Sequence, residues 1–230
     1  MKKIVCLDLD DTLIQTQESY EKVNERLVYL LQSKVSISKE KILEILYEID
    51  IEQIKTKGLS KDRFPNSWVE TFKYFLGNQI FSEEAIYKEA ANIFIEKIDL
   101  HSDAKRFLEK ISQMNQFNVW IVTHGDYEVQ TKRIHDINLQ WVDDVVISDH
   151  KDLALYQHLK SKTQGEIIMI GNSIRHDILP AIEAGLTGIH IKREKEWKYD
   201  SIHSHYEFPS FETLDYVWSH LFKGEETCQL

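Results

Sequence analysis

Three carboxylates arrive within four residues in Asp8-Leu9-Asp10-Asp11-Thr12. Before them, and before Leu7, comes Lys2-Lys3-Ile4-Val5-Cys6, an apolar run of the kind that forms a fully buried strand. Strand alternation puts Asp8 and Asp10 on one side and Leu7 and Leu9 on the other. Two like charges this close repel, so the pair needs a cation, a shared proton or solvent. A hard cation such as Mg²⁺ would satisfy both at once. The plainer alternative is a strand-end turn that uses Asp as a helix cap and for solubility.

Three further stretches carry groups that could join this pair. In Thr123-His124-Gly125-Asp126, Asp126 suits an N-cap and Gly125 lets backbone approach a ligand closely. A hydroxyl and free amides at a helix N-terminus would suit a phosphate, although a plain capped turn accounts for the same residues. Ser148-Asp149-His150-Lys151 brings a lysine, which is a solvated surface cation unless anions converge on it. The last stretch is Gly171-Asn172-Ser173-Ile174-Arg175-His176-Asp177. Pro180 is tolerated only in a first helical turn, so the following helix is expected to start near Asp177. Asn172 to His176 would then be a loop, with Asp177 as its closing cap.

The elements that must position these groups follow from periodicity. A strand is expected over residues 3–9. Four helical stripes come next: Tyr20, Val23, Leu27, Leu30 and Leu31; Ile42, Ile45, Leu46 and Ile49; Trp68, Phe72, Phe75 and Leu76; and Ile86, Ala90, Ile93 and Phe94. Ser38 and Ser82 open the second and fourth, and Gly77-Asn78 stops the third. The stripes read as packing between helices in a small module. From His101 onward helix and strand alternate. Ser102-Asp103 is expected to cap a helix carrying Phe107, Leu108 and Ile111. Strands are expected at 118–122, 144–148, 166–170 and 187–191, with helices at 126–138, 151–160 and 178–184. That rhythm predicts an α/β, Rossmann-like doubly wound parallel sheet with an all-helical insertion. The division would be residues 1–16 and 99–230 for the α/β core and 17–98 for the helical module. The polar and aromatic stretch 192–209 is expected to be loop. Ligands of such sheets bind beyond the carboxyl ends of the strands, where all four stretches fall.

Composition narrows the classes. Asp plus Glu (38) exceeds Lys plus Arg (28), for a formal charge of −10. That balance disfavours a nucleic-acid binder or a protein of anionic membrane surfaces. No run approaches the ~18 apolar residues of a membrane span, and the N-terminus lacks a signal peptide's apolar region. Two cysteines, Cys6 and Cys228, imply no disulfide framework, so a reducing, cytoplasmic setting is expected.

Taken together, the motifs resemble the haloacid dehalogenase-like hydrolase superfamily, in the subgroup with a helical cap after the first strand. Asp8-Leu9-Asp10-Asp11-Thr12 is similar to its first motif, Val122-Thr123-His124-Gly125 to its second, Lys151 to its third, and Gly171-Asn172-Ser173 through Asp177 to its fourth. The resemblance implies a phosphatase acting on a small phosphorylated metabolite, with Asp8 as nucleophile and Asp10 as general acid/base. It further implies that Thr123 and Lys151 hold the phosphoryl group, with His124 and Gly125 beside the substrate. Mg²⁺ would be the cofactor, bound by Asp8, Asp10, Asn172 and Asp177.

One departure stands out. The family's fourth motif usually begins Gly-Asp, and here it is Gly171-Asn172. An amide oxygen can ligate Mg²⁺ with one charge fewer, so affinity is expected to fall, unless Asp177 or Asp149 compensates. Two rivals follow: a weakly active or non-catalytic ligand-binding protein on the same fold, and a 2-haloacid dehalogenase. Lys61 and Arg63, in the basic connection 57–63, could meet an anionic substrate or simply be solvated. His190, His203 and His205 lack the spacing of a second metal site. The oligomeric state is left open.

Overall fold

The strand carrying Asp8 lies inside a six-stranded sheet, which is why its residues are apolar on both faces. The computed structural model describes residues 2–77, 82–139, 141–194 and 204–222. Its strands are β1 (Lys3–Leu7), β2 (Phe117–His124), β3 (Asp144–Ser148), β4 (Ile167–Gly171), β5 (Thr187–Ile191) and β6 (Ser210–Phe211). They run in the order β3-β2-β1-β4-β5-β6, and every pair is parallel. Leu7 stands level with Ile121 on one side and Ile170 on the other. The order reverses at β1, so the crevice of this sheet opens where β1 and β4 end.

The chain forms two compact units. The first contains residues Met1–Gln15, Asp99–His124 and Ile134–Leu230; the second contains Thr16–Ile98 and Gly125–Arg133. In the first, helices α5 (Ser102–Ile111), α7 (Leu153–Ser161), α8 (Leu179–Glu183) and α9 (Leu214–Leu221) accompany the sheet, while α6 (Tyr127–Asp136) is divided between the units, with its residues up to Arg133 in the second. Ile4, Cys6, Ile167 and Met169 pack against Tyr156 and Leu159 of α7 and Ala181 of α8. Alternation turns the equally buried Val5 and Leu7 to the opposite face. There α5 and α9 pack together, with Phe107 edge-on to Trp218 at 6.0 Å.

The second unit contains α1 (Thr16–Gln32), α2 (Lys39–Lys57), α3 (Arg63–Leu76) and α4 (Glu83–Ala91). Val23, Leu27, Leu31, Ile42, Leu46, Trp68, Phe72 and Ile86 form its core, as the helical stripes require. Ser38 and Ser82 cap α2 and α4 by accepting from Lys41 N and Ala85 N. Arg63 is buried and ion-paired with Asp50, whose other oxygen accepts from Ser67 Oγ at 2.8 Å. It is therefore a structural residue of this unit and not a surface cation awaiting substrate. Lys61 is exposed and salt-bridged to Glu128 at 2.5 Å.

Several local expectations are corrected. The first strand ends at Leu7, not at residue 9. The chain then turns, with Leu13 N and Ile14 N both donating to the Leu9 carbonyl and Asp11 at φ 57°. Asp is among the few residues that accept this left-handed conformation cheaply. Asp103 lies inside α5 instead of capping it; one oxygen accepts from Arg193 Nη1 (2.7 Å) and Leu214 N (2.9 Å). The stretch after β5 leads into β6 and α9, which periodicity did not suggest. Asn78, His203, Cys228 and residues 195–203 of the expected loop lie outside the described residues.

Candidate active site

The motif residues of the first unit meet at the carboxyl ends of four strands. Asp8 directly follows β1, and its N–H donates to the Ile170 carbonyl at 3.0 Å, which ties it to the end of β4. Thr123 and His124 close β2, Lys151 follows β3, and Asn172 follows β4. Lys151 is fully buried, with Nζ 2.5 Å from Asp8 Oδ1 and 2.7 Å from Asp177 Oδ1. Anions do converge on this lysine, so the solvated-surface reading of it is excluded.

Burial and charge set the protonation of this trio. Burial pushes the Asp8 carboxyl up to about 8; Lys151 opposes it, while Asp177 and Asp10 push further up. Burial would pull Lys151 down, but Asp177 and Asp8 outweigh it and raise the ammonium to about 12. The two directions are compatible because Asp177, the largest charge influence on Lys151, also balances it. Burial lowers His124 well below the usual imidazole range, and Lys151, His176 and His150 lower it further. Its half-buried ring lies against His176 at 4.8 Å.

The fourth motif folds differently from the expected loop. Residues Ile174–Ile178 form a π-helical turn whose N-cap is Ser173, with its hydroxyl accepting from His176 N at 3.1 Å. Asp177 N and Ile178 N both donate to the Ser173 carbonyl. Helical structure therefore begins three residues before Asp177, and Asp177 is not its cap. Pro180 still fits, because the carbonyl it cannot reach, that of His176, accepts from Tyr156 Oη at 3.0 Å instead. The wider turn lets the Asp177 carboxylate fold back under Gly171. Its Oδ2 accepts from Ser173 N at 3.0 Å while its Oδ1 holds Lys151.

Thr123 Oγ1 is buried without a hydrogen-bond partner. A buried hydroxyl normally finds one, so this group is suited to a ligand oxygen. Gly125 has φ 132°, a conformation open to glycine, and Asp126 caps α6 through Glu128 N (3.1 Å) and Val129 N (3.4 Å).

A cation position is also testable from the donor chemistry. One terminal atom of the Asn172 carboxamide lies 3.2 Å from Asp8 Oδ2 and 3.1 Å from the Asp10 carbonyl oxygen. Mg²⁺ with oxygens at ~2.05 Å spaces neighbouring ligands by about 2.9 Å. With its oxygen on that side, Asn172 stands at nearly that spacing from both Asp8 Oδ2 and the Asp10 carbonyl, so the residues fit the ion. Among the described residues no group of three or more His, Cys, Asp or Glu side chains is placed to hold a metal. His190, raised with His203 and His205, instead bonds through Nδ1 to Ser210 Oγ (2.8 Å) and through Nε2 to the Asn172 carbonyl (3.1 Å).

Sequence reading missed three residues of this neighbourhood. Thr12 bridges to Asn172, with Oγ1 accepting from Asn172 N at 2.9 Å. Arg193 Nη2 donates to the Thr12 carbonyl at 2.5 Å, and Tyr156 supports the π turn. Thr12 stood inside the first motif, whereas Tyr156 and Arg193 gave no local signal.

Comparison with known proteins shows the family and the fold. A family model for haloacid dehalogenase-like hydrolases matches residues 2–185. The chain is 23% identical over 207 residues to the N-acylneuraminate-9-phosphatase of Rattus norvegicus, covering 80% of this chain and 79% of that one. A haloacid dehalogenase-like hydrolase from Xanthomonas campestris superposes with a TM-score of 0.73 at 20% identity, covering 83% and 82% of the two chains. A magnesium-bound HAD-hydrolase from Bacillus subtilis gives 0.69 at 17%, covering 96% and 99%. The L-2-haloacid dehalogenase of Xanthobacter autotrophicus shares the fold as well, at 0.64 and 17%, covering 97% and 99%. The protein belongs to the haloacid dehalogenase-like hydrolase family.

Proposed function

We propose that this protein is a Mg²⁺-dependent phosphatase that hydrolyses a small phosphomonoester through an aspartyl-phosphate on Asp8. The carrying observation is the buried Asp8–Lys151–Asp177 trio at the strand ends. Asp8 in carboxylate form attacks phosphorus, and the phosphorus–ester oxygen bond breaks. Asp10 gives its proton to the leaving alkoxide, then takes one from the water that attacks the aspartyl-phosphate and frees Asp8. Lys151 and the Thr123 hydroxyl hold the transferring phosphoryl oxygens. Asp177 keeps Lys151 in place. Bound by Asp8, the Asp10 carbonyl and Asn172, Mg²⁺ would neutralise charge on the phosphoryl group. Residues 17–98 act as a cap that selects the substrate, and His124 and Gly125 meet that substrate.

Asp10 is what favours phosphate esters over carbon–halogen bonds, since an alkoxide leaving group needs a proton and a halide does not. The experiment is a panel of phosphomonoesters and 2-haloacids, with and without Mg²⁺, using Asp8→Asn as control. Phosphate release that requires Mg²⁺ and vanishes in Asp8→Asn supports the reading. Halide release, or full activity in Asp8→Asn, would sink it. Ligand-induced stabilisation without turnover on any ester would favour the binding-protein rival.

A further inference from the structure

Asn172 is where this chain departs from the family pattern, and its surroundings give the departure a physical role. The carboxamide atom facing Asp8 Oδ2 and the Asp10 carbonyl lies 3.0 Å from Thr12 Oγ1 as well. With Asp8 ionised, an oxygen in that position confronts two acceptors, an arrangement that a cation among them relieves. A nitrogen there donates to both. A carboxamide can present either atom by a half-turn of its last torsion, and a carboxylate cannot. Thr12 Oγ1 serves either state, because a hydroxyl donates to an oxygen and accepts from a nitrogen. The backbone of Asn172 meanwhile stays fixed, with its N–H on Thr12 Oγ1 (2.9 Å) and its carbonyl on His190 Nε2 (3.1 Å). The end group alone is left to turn.

We propose that the Asn172 carboxamide is a two-position latch on the cation site. Its nitrogen faces Asp8 and the Asp10 carbonyl when no cation is bound, and its oxygen faces them when Mg²⁺ is. Only the second position rests on the Mg²⁺ reading above. With an acid at 172, the metal-free site would set another carboxylate against ionised Asp8 and the Asp10 carbonyl, with only the Thr12 hydroxyl to donate to it. With the amide, that form is hydrogen-bonded, and cation binding must give up two of those bonds. The latch thus stabilises the metal-free protein and weakens its hold on the metal.

Three measurements on wild type and Asn172→Asp test the latch: thermal unfolding in EDTA, Mg²⁺ titration by calorimetry, and NMR of ¹⁵N-Asn side-chain amides. In EDTA the variant should melt about 3 °C or more below wild type, and its Mg²⁺ Kd should fall about tenfold or more. The wild-type amide pair that the variant lacks should shift when Mg²⁺ saturates. Equal melting in EDTA, or an Asn172 amide signal unmoved by saturating Mg²⁺, would overturn the latch. Absence of Mg²⁺ binding in both proteins overturns the Mg²⁺ reading itself, and melting in EDTA then decides the first position alone. Should Asn172→Asp not fold, the wild-type shift decides, with Asn172→Ser supplying the assignment.

Discussion

Thr123 separates binding from folding more cleanly than any other residue of the site. Its hydroxyl is buried and unpartnered, so removing it exposes nothing and breaks no bond. Thr123→Val should therefore change stability by less than about 1 kcal/mol, against the usual cost of a lost buried hydrogen bond. If the hydroxyl meets the phosphoryl group, the same change should lower kcat/KM about 10²-fold. Urea unfolding and steady-state kinetics on one preparation check both halves. Lys151 behaves oppositely, because two carboxylates depend on it and its removal mixes folding with function.

The π turn after β4 is the element on which the site hangs. Gly171 lacks a Cβ for a specific reason: one built there would lie 2.2 Å from Asp177 Oδ2 and 2.4 Å from its Cγ. Asp177 cannot swing aside without releasing Ser173 N and Lys151. Gly171→Ala should cost about 2–3 kcal/mol, the range of core overpacking, and should lower activity with it. An unchanged urea midpoint would show that the turn can shift. Tyr156→Phe probes the same element from below. It leaves the His176 carbonyl, already denied a donor by Pro180, without the tyrosine hydroxyl. The expected loss is about 1 kcal/mol, measurable as a lower unfolding midpoint.

At the scale of the molecule, buried titratable groups predict a stability maximum with two limbs. Burial and the charge of Arg193 lower His101 to about 4, although Asp103 opposes them. Its unfolded value is near 6.5, so unfolded chains bind the extra proton and stability falls as pH drops from about 6.5 toward 4. Burial lowers His124 and His176 in the same direction. Asp8 works with the other sign. Its folded value near 8 lies above the unfolded ~3.9, so its contribution is present at low pH and lost as pH rises toward 8. Melting temperatures in EDTA should fall on both sides of the optimum. His101→Gln should soften the acid limb only, and Asp8→Asn the alkaline limb only. No helix among the described residues is long and apolar enough to cross a membrane.

The sequence by itself determined the parallel α/β sheet, the helical stripes of residues 17–98 and the order of the four motifs. Those features rest on local periodicity and on residue types whose chemistry is fixed wherever they stand, as with the acids at Asp8 and Asp10. Only the tertiary structure decided which charges meet. Lys151 reaches Asp8 across 143 residues of chain, and Arg63 turns inward to Asp50. Nothing local distinguishes such lysines and arginines from solvated ones, because burial is a property of the packed chain. The π turn was illegible for a related reason: the Tyr156 hydroxyl that makes Pro180 tolerable there comes from another helix. Asn172 shows both sides at once. Its identity is plain in the sequence, but only the positions of Asp8, the Asp10 carbonyl and Thr12 show what each end of its amide would meet there.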